Sequence, residues 1–421
     1  MTQRLLLLVT PQTYRAQAFV DAARRLSTTR NLNVEVVKAV DVPPELAEQW
    51  CDAIAVRFGD VDLAAQAIVD YAQGHPLDAI LSVDDSASLV AAQASAALGL
   101  PHNSPDAAEA ARNKFVMRTL LRQHRVLVPD FRLFHTNDLV EGIVPQVKFP
   151  CVVKPLDLNG SRGVIRADDA AQLSAAIKRL SKMLHALDRS PGPKPFLIED
   201  FIPGFEVALE GLLDHGELHV LALFDKPDPL DGPFFEETIY VTPSRLPEAV
   251  QQSIAQCAAD SARALGLHDG PMHAELRVND RGPWLVEVAG RSIGGLCGQT
   301  LRFAHSADVT LEELIVRQAL GLGLDALERE SQSGGVMMIP IPGEGLLRGV
   351  TGIDAAKAVI GIEDVQITAR LNYPIVPLPE GESYLGFIFA RGDTPAQVET
   401  ALREAHSQLR FRIDPVIPLL Q

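Results

Sequence analysis

The fold is decided by a predicted β-hairpin, whose parts are HAELRV (273–278), NDRGP (279–283) and WLVEVA (284–289). Apolar and polar residues alternate along both arms, and a Gly-containing segment between two such arms is typical of a hairpin turn. A five-residue loop brings the apolar residues together in three pairs: Ala274–Val288, Leu276–Val286 and Val278–Trp284. A slip of one residue would scatter this apolar face, so the pattern itself favours the register.

The same register places two glutamates opposite each other on the second face of the hairpin, Glu275 and Glu287. Opposed Cβ atoms in a sheet lie about 4.5–5.5 Å apart, and like charges at that distance repel. A hard cation between the carboxylates removes the repulsion, and Mg²⁺ is commonly held in this way beside substrate phosphates. The alternative is a pair of exposed glutamates on a solvated sheet face, and the short motif alone leaves both interpretations open.

Length and charge narrow the class of protein. A chain of 421 residues is longer than one ordinary core requires, so two to three domains are expected. Lysine and arginine number 38 against 54 acidic residues, and the net charge of −16 opposes binding to nucleic acid or to an anionic membrane. Any phosphate site must therefore be built locally from a few basic side chains and backbone amides.

Cysteine usage and hydropathy predict a cytoplasmic protein. The four cysteines are widely spaced and form no CxxC pair, which favours neither a zinc site nor a disulfide framework and indicates a reducing compartment. The apolar run at 5–9 is too short for a signal-peptide core and is typical of a first buried strand. No run approaches the ~20 apolar residues of a membrane span.

The first hundred residues alternate between strand and helix. Strands are predicted at 4–9, 32–39 and 77–83, and helices at 14–27, 60–73 and 86–98. Such alternation predicts a parallel sheet with crossover helices. No GxGxxG follows the first strand, so a dinucleotide is not the expected ligand. Ser104 and Pro105 then predict the start of another helix, as N-cap and first residue.

The remainder of the chain mixes strands and helices without regular alternation. Short strands and turns characterise 126–204, and longer strands with one helix at about 246–265 follow. A polar break near 328–335 begins a third unit, which ends in a helix at 394–409. The fold class is therefore α/β and α+β, in several domains.

Two segments could contact a nucleotide's phosphates and base. Lys154 ends an apolar strand, and the loop DLNGSRG (157–163) places two glycines around a hydroxyl residue, so its N–H groups can point at phosphate oxygens. In the segment IEDFIPGFE (198–206), Glu206 could accept from ribose hydroxyls and Glu199 lies near the base. The alternatives are an ordinary turn with a surface lysine and two ordinary edge glutamates.

An arginine follows the hairpin in AGRSIGG (289–295). Beside two carboxylates, Arg291 can meet a phosphoryl group or a carboxylate with two parallel hydrogen bonds. Gly294 and Gly295 allow backbone amides to approach a small anion. The alternative is that Arg291 only neutralises Glu287.

The order and spacing of these residues resemble the ATP-grasp superfamily, over nearly the whole chain. The series is Lys114, Lys154, the Gly-rich loop, Glu199, Glu206, Glu275, Glu287 and Arg291. The resemblance implies an ATP-grasp fold in three domains. These are a Rossmann-like pre-ATP-grasp domain (1–104), an ATP-grasp domain (105–325, small lobe about 126–204) and a biotin-carboxylase-like α+β domain (326–421).

The resemblance also implies where ATP binds. Lys114 and Lys154 would contact the α- and β-phosphates. Adenine would meet Glu199 and the backbone near Ile202, and ribose would meet Glu206. The β/γ end of the triphosphate would be covered by the loop residues Gly160, Ser161 and Gly163.

Metal binding and catalysis are assigned by the same resemblance. Glu275 and Glu287 would hold Mg²⁺, as one or two ions, with Mn²⁺ as an alternative. Arg291, with Lys154, would act in catalysis by stabilising an acyl-phosphate. Many relatives carry Asn where Ala289 stands here, which removes a ligand of the second ion.

Three shorter segments resemble the L-amino-acid ligases that join free amino acids into dipeptides: FDKP (224–227), FFEET (234–238) and EVAGR (287–291). The residues that would contact substrate are Lys226, Glu237, His273, Arg291, Gly294 and Gly295. For His273 a structural histidine is the alternative that residue statistics favour.

The function implied is that of an ATP-dependent carboxylate–amine ligase working through an acyl-phosphate. Its partners would be a small carboxylate and an amine, and the enzyme would be a homodimer. One alternative is a biotin carboxylase or a purine-pathway ligase, although neither an ERDCS-type segment nor extra basic residues for a ribose phosphate are found. A non-catalytic nucleotide-binding relative is the other alternative.

Overall fold

The computed structural model describes residues 2–11, 13–29, 32–43, 45, 53–304, 309–325, 327–381 and 383–415. Across these residues the strands form three larger sheets and two small ones. None of the helices in these ranges is long and apolar enough to cross a lipid bilayer.

The N-terminal unit is the parallel sheet with crossover helices that the alternating pattern predicts. Its elements are β1 (Thr2–Val9), α1 (Ala16–Thr29), β2 (Asn33–Asp41), β3 (Ala53–Val56), α2 (Val61–Gly74), β4 (Ala79–Ser82) and α3 (Ser88–Leu98). The strand order is β3-β2-β1-β4 and every pairing is parallel. The leucines at 5–8 are fully buried, because helices cover both faces of a parallel sheet. Strand β3 was not predicted.

The next segment contains a four-stranded antiparallel sheet in the order β5-β8-β6-β7. Ser104 caps the first helix by accepting from Ala107 N, with Pro105 in the first turn, as predicted. The elements are α4 (Pro105–Arg112), α5 (Lys114–Gln123), β5 (Phe131–His135), α6 (Val140–Ile143), β6 (Cys151–Lys154), β7 (Ile165–Ala167), α7 (Ala170–Leu187) and β8 (Pro195–Asp200).

A large antiparallel sheet begins after this segment. Its part of the chain contains β9 (Phe205–Asp214), β10 (Glu217–Asp225), β11 (Ile239–Thr242), α8 (Glu248–Leu265), β12 (Gly270–Asn279), β13 (Gly282–Ala289), β14 (Arg302–Phe303), β15 (Val309–Thr310) and α9 (Leu311–Ala319). Strands β14 and β15 form a separate pair.

The C-terminal segment extends that sheet. Its elements are β16 (Ser333–Ile339), β17 (Gly345–Thr351), α10 (Ile353–Lys357), β18 (Ile362–Ile367), β19 (Pro374–Ile375), β20 (Gly386–Gly392), α11 (Pro395–Gln408) and β21 (Arg410–Asp414). The full order is β13-β12-β9-β10-β11-β16-β20-β18, and β19-β17-β21 form a small sheet. Because β11 pairs with β16, the third unit shares a sheet with the second.

The hairpin β12–β13 pairs Glu275 with Glu287 as predicted, but only part of the predicted register is correct. A β-bulge follows Glu275, so Leu276 faces Leu285 instead of Val286. The predicted pairs Leu276–Val286 and Val278–Trp284 are therefore wrong, and so is the five-residue loop: Asn279 pairs with Gly282. The physical reason is packing, because the bulge keeps Leu285 fully buried while Val286 is half-buried.

Candidate active site

The two hairpin glutamates face one cavity of about 800 Å³. Tyr14 and Asp85 of the N-terminal unit line it, together with Lys154 at the end of β6. A bulge beside an active site commonly redirects a side chain. Here the bulge turns Val286 toward the same cavity, and the cavity is thus enclosed by elements from distant parts of the chain.

Most of the predicted site residues line this cavity: Lys114, Lys154, Gly160, Ser161, Glu199, Ile202, Glu206, Glu237, His273, Glu275, Glu287, Arg291, Gly294 and Gly295. Two do not, Gly163 and Lys226. Gly163 adopts φ +73°, and a Cβ there would lie 2.4 Å from Met183 Cε. Its N–H donates to Pro379 O at 2.8 Å, so the backbone amide that was predicted to cover phosphate already has a protein acceptor.

Lys114 joins the hairpin to the Gly-rich loop. Its ammonium lies 2.9 Å from Glu287 Oε1 and donates to Leu158 O, also at 2.9 Å. Lys114 begins α5, and Asn113 caps that helix by accepting from two backbone N–H groups. The helix start therefore positions a cation between a carboxylate of β13 and the loop at 157–163.

Lys226 is surrounded by three carboxylates. Its Nζ lies 2.8 Å from Glu206, 2.5 Å from Glu237 and 3.1 Å from Glu275. Burial alone would lower the pKa of Lys226, but the attraction of these carboxylates outweighs it and the pKa stands well above its ordinary value. Burial, together with the charge of Glu275, raises the pKa of Glu237 to about 8. Lys226 thus does not line the cavity itself, but it contacts three carboxylates that do.

Lys154 and Arg118 share a buried glutamate. Glu199 accepts from Arg118 Nε at 2.7 Å and lies 2.6 Å from Lys154 Nζ. Burial would raise the pKa of Glu199, but the two cations lower it to about 2. Both of its oxygens are therefore engaged by cations, and its predicted contact with adenine stays a prediction. Arg118 also donates to Val286 O at 2.6 Å, and no sequence motif indicated it.

His273 lies between two carboxylates. Its Nδ1 is 3.1 Å from Glu210 Oε2 and its Nε2 is 3.6 Å from Glu275 Oε1. Burial would lower the pKa of His273, but hydrogen bonds to Glu210 and Glu275 raise it to about 9. Fully buried Glu210 also accepts from Ile293 N at 3.0 and 3.1 Å. His273 is thus held by protein groups on both sides, and Glu210 ties β9 to the loop of Arg291.

The N-terminal unit orients Arg291. Asp85 Oδ2 accepts from Arg291 Nε at 2.6 Å, and Arg291 Nη1 donates to Ser292 O at 2.9 Å. Arg15 Nη2 donates to Ser292 Oγ at 2.7 Å. Two side chains of the N-terminal unit, Asp85 and Arg15, therefore contact the segment that contains Arg291. Burial would lower the pKa of Arg291, but Asp85 raises it above its ordinary value. Asp85 follows β4 at the carboxyl edge of a parallel sheet, where ligands usually bind, and this placement could have identified it.

The donor set suits a hard divalent cation. Glu275 and Glu287 are paired across the hairpin, and their side chains keep 18% and 29% exposure toward the cavity. Carboxylate oxygens are the ligands that Mg²⁺ takes beside substrate phosphates. Ala289 lines the cavity next to them without offering a donor atom. The residues present therefore fit Mg²⁺.

Family models match three successive parts of the chain. The ATP-grasp N-terminal domain matches residues 20–102, the ATP-grasp domain matches 147–300, and the L-amino acid ligase C-terminal domain 2 matches 337–414. These matches agree with the resemblance that the sequence motifs indicated.

Two curated relatives are identical to this chain at about a quarter of the aligned positions. Alanine–anticapsin ligase of Bacillus subtilis is 26% identical over 297 residues, which are 66% of this chain and 62% of the relative. Dapdiamide A synthase of Enterobacter agglomerans is 26% identical over 60% of this chain and 58% of its own. The chain thus spans less than two thirds of these two proteins.

Solved structures share the fold along almost the whole chain. The L-amino acid ligase of Bacillus licheniformis superposes with a TM-score of 0.78 and 25% identity, covering 98% of this chain and 99% of its own. A carboxyaminoimidazole ribonucleotide synthase complexed with ATP has a TM-score of 0.72 at 16% identity, which shows a common fold alone. The three family matches and the shared fold show that the chain is built from ATP-grasp domains in an ATP-grasp fold.

Proposed function

We propose that this protein is an ATP-dependent ligase that joins the carboxylate of one amino acid to the amine of another. The observation that carries the proposal is the convergence of Glu275, Glu287, Lys154 and Arg291 on one cavity. A nucleotide-binding subunit would need the lysines and the metal, but it would have no use for an oriented arginine beside them. The names of the similar ligases support the same reaction class.

In the proposed reaction, a carboxylate oxygen of the first substrate attacks the γ-phosphorus of ATP. The bond from that phosphorus to the β-bridging oxygen breaks, and ADP and an acyl-phosphate result. The amine of the second substrate then attacks the acyl carbon, displaces inorganic phosphate and loses a proton, leaving an amide. Phosphorylation is needed because a free carboxylate is a poor acyl donor at neutral pH.

The side chains contribute positioning and charge neutralisation, which dominate phosphoryl transfer. Lys114 and Lys154 would bind the α- and β-phosphates, and Glu206 would accept from ribose. Glu275 and Glu287 would hold Mg²⁺, which would supply charge neutralisation at the β- and γ-oxygens. Arg291, oriented by Asp85, would bind the phosphoryl oxygens of the acyl-phosphate.

Closure of the Gly-rich loop would protect the acyl-phosphate. Water competes with the amine for an acyl-phosphate, and exclusion of water is a common result of loop closure in enzymes. Ser161 has φ +57° and follows Gly160 at φ +61°, so this turn is built from two left-handed residues. A turn can direct successive backbone N–H groups to one side, where phosphate oxygens can accept hydrogen bonds from them.

The proposal is tested with a pairwise matrix of amino acids, ATP and Mg²⁺, scored by phosphate release and by the mass of the coupled product. We expect one equivalent of ADP and phosphate per amide formed. Glu287→Gln should lower turnover by more than about 100-fold. Loss of a residue that only supports a metal ligand already costs about 10- to 100-fold, and loss of the ligand itself should cost more. Glu404→Gln, an exposed glutamate of α11, is the matched control. A Glu287→Gln enzyme with near-normal rate at low Mg²⁺ would contradict the assignment.

A further inference from the structure

Nearly every cation that lines the catalytic cavity already has a partner. Six are in ion pairs with protein carboxylates: Lys114 with Glu287, Lys154 and Arg118 with Glu199, Arg291 with Asp85, Arg15 with Asp84 and Arg277 with Asp231. Arg162 donates to Glu380 O. Arg112 differs: its side chain makes no hydrogen bond or ion pair with any residue that the structure describes.

Arg112 occupies a boundary between two cavities. It is the last residue of α4, is half-buried, and lines both the catalytic cavity and a second cavity of about 410 Å³. Asp85 also lines both, and its carboxylate holds Arg291 at 2.6 Å. The second cavity has the volume of a small-molecule site. A group bound by Arg112 would therefore lie across Asp85 from the arginine that we assign to the acyl-phosphate.

The second cavity has space for an organic side chain. Its walls include small residues of two helices, Ser88, Ala91 and Ala92 of α3 and Ala108 and Ala111 of α4. Gln318 on α9 also lines the cavity, as do the polar residues Asp214 and Asp269. The cavity thus combines small apolar residues with polar ones, and Arg112, which has no protein partner among the described residues, lines both this cavity and the catalytic one.

We propose that Arg112 binds the α-carboxylate of the amine-donating substrate and that the second cavity receives the side chain of that substrate. This inference rests on the proposed ligase function. What it adds is the residue and the cavity that would select an α-amino acid as acceptor over an amine without a carboxylate.

The acceptor is the substrate that needs this arginine. The donor's carboxylate loses its negative charge when one of its oxygens is phosphorylated, and the phosphoryl group would be bound by Arg291. The acceptor's carboxylate stays charged through the reaction and needs a lasting counter-ion. A guanidinium meets a carboxylate with two parallel hydrogen bonds. Every other lysine or arginine of the cavity has a protein partner among the described residues, and Lys114, Lys154 and Arg291 are assigned to phosphate groups.

The test compares the acceptor amino acid found in the matrix with its carboxamide, at saturating ATP and donor. Arg112→Met keeps most of the aliphatic bulk and removes the charge. It should lower kcat/KM for the amino acid by about 10- to 100-fold and for the carboxamide by less than about threefold, as expected for a lost charge-assisted hydrogen bond. Arg112→Lys should recover part of the loss. Arg132→Met, at an exposed arginine outside both cavities, should match the wild type.

Two outcomes overturn the inference. Equal losses for the amino acid and the carboxamide would show that Arg112 does not bind the carboxylate. A rise in the KM for ATP alone would place Arg112 on the nucleotide. A second variant, Ala91→Leu, narrows the second cavity and should raise the KM of bulky acceptors while leaving that of glycine unchanged; a uniform effect on all acceptors would count against the side-chain site.

Hydroxylamine separates this inference from the proposed function. It is small and lacks a carboxylate, so both the wild type and Arg112→Met should form the donor hydroxamate at similar rates. Absence of hydroxamate with the wild type would refute the ligase itself. Hydroxamate formation combined with no discrimination between the two acceptors by Arg112→Met would refute only the role of Arg112.

Discussion

Asp85 is the side chain that sets the orientation of Arg291. It is 8% exposed and accepts from Arg291 Nε, while Nη1 is held by Ser292 O. Among the described residues no acceptor for Nη2 is found, so this nitrogen can serve a substrate oxygen. Through this pair the N-terminal unit, which carries none of the predicted ATP or metal residues, shapes the catalytic end of the cavity.

We expect Asp85→Asn to lower kcat by about 10- to 100-fold and to leave the KM for ATP unchanged. A small misplacement of a catalytic group is enough for such a loss. Steady-state kinetics at saturating substrates provides the measurement, and Asp106→Asn, an exposed aspartate in the first turn of α4, is the control. An increase in the KM for ATP at constant kcat would show that Asp85 acts on nucleotide binding instead.

Glu199 links site chemistry to stability. Its carboxylate is 3% exposed and compensates both Arg118 and Lys154. Since its pKa falls from an ordinary 4.5 to about 2 in the folded protein, the ion pairs stabilise the fold above pH 4.5. This stabilisation is lost as the pH falls from about 4.5 toward 2, because in this range Glu199 binds a proton in the unfolded chain but not yet in the folded protein.

Glu199→Gln should reduce the free energy of unfolding at pH 7 by about 3–5 kcal/mol, because it leaves two buried cations uncompensated. The deficit relative to wild type should shrink as the pH is lowered below 4.5. Urea titrations at a series of pH values give both quantities. Glu35→Gln, which removes the exposed pair with Arg4, should change stability by no more than about 1 kcal/mol. A deficit independent of pH would contradict the ion-pair account.

The sequence motifs located residues that line the cavity better than the residues that hold those side chains in place. The predicted pair Glu275 and Glu287 does face the cavity. Asp85, Arg118 and Glu210 were missed because their partners lie 63 to 206 positions away in the chain. A residue type without a local motif gives no sign that it will be buried beside a distant charge.

At the scale of elements, the hairpin shows what alternation can and cannot predict. Apolar spacing located both arms and the glutamate pair correctly. It could not locate the bulge, because an extra residue interrupts the period of two only after Glu275. The bulge puts Leu285 in the core, packed from the side of α8, and leaves Val286 beside Arg118.

The two neighbouring residues should therefore respond differently to truncation. We expect Leu285→Ala, at a fully buried side chain, to lower the free energy of unfolding by about 2–5 kcal/mol. Val286→Ala, at a half-buried position on the cavity wall, should cost less than about 1.5 kcal/mol. Denaturant titration of the two variants decides the matter. A larger loss of stability for Val286→Ala than for Leu285→Ala would contradict the bulged register and favour the regular one.

At the scale of the whole molecule, the C-terminal segment holds the Gly-rich loop. Arg179 makes two contacts with Glu380, at 2.5 and 2.7 Å, and Arg162 Nε donates to Glu380 O at 3.0 Å. Gly163 N–H donates to Pro379 O in the same segment. The Gly-rich loop and α7 are thereby joined to the C-terminal segment beside the cavity that the loop lines.

Glu380→Ala should loosen this junction without weakening the fold. The pair is half-exposed, with 45% and 40% side-chain exposure, so its loss should cost less than about 1 kcal/mol. We expect faster amide hydrogen exchange at 157–163 and a KM for ATP raised by about two- to fivefold. Asp414→Asn removes a comparable exposed pair with Arg348 and serves as control. Unchanged exchange in the loop would show that the contact does not restrain it.

The sequence patterns could not predict which strands pair when they are far apart in the chain. Alternating strands and helices correctly predicted the parallel N-terminal sheet, because each crossover is local. The polar break near 328–335 indicated a new unit, yet β11 pairs with β16 across it. Nothing in either strand identifies its partner, since apolar strands such as Val336 to Ile339 pair equally well with many others.

The proposed acyl-phosphate is tested most directly by following an oxygen atom of the substrate carboxylate into the released phosphate. The twenty amino acids, labelled with ¹⁸O in their carboxylates, are incubated with the enzyme, ATP and Mg²⁺ in unlabelled water, and the released phosphate is analysed by mass spectrometry. An acyl-phosphate formed in the cavity that Glu275, Glu287 and Arg291 line predicts ADP and phosphate carrying one ¹⁸O atom per amide formed. Amide formation with unlabelled phosphate, or with AMP and pyrophosphate as products, would contradict it.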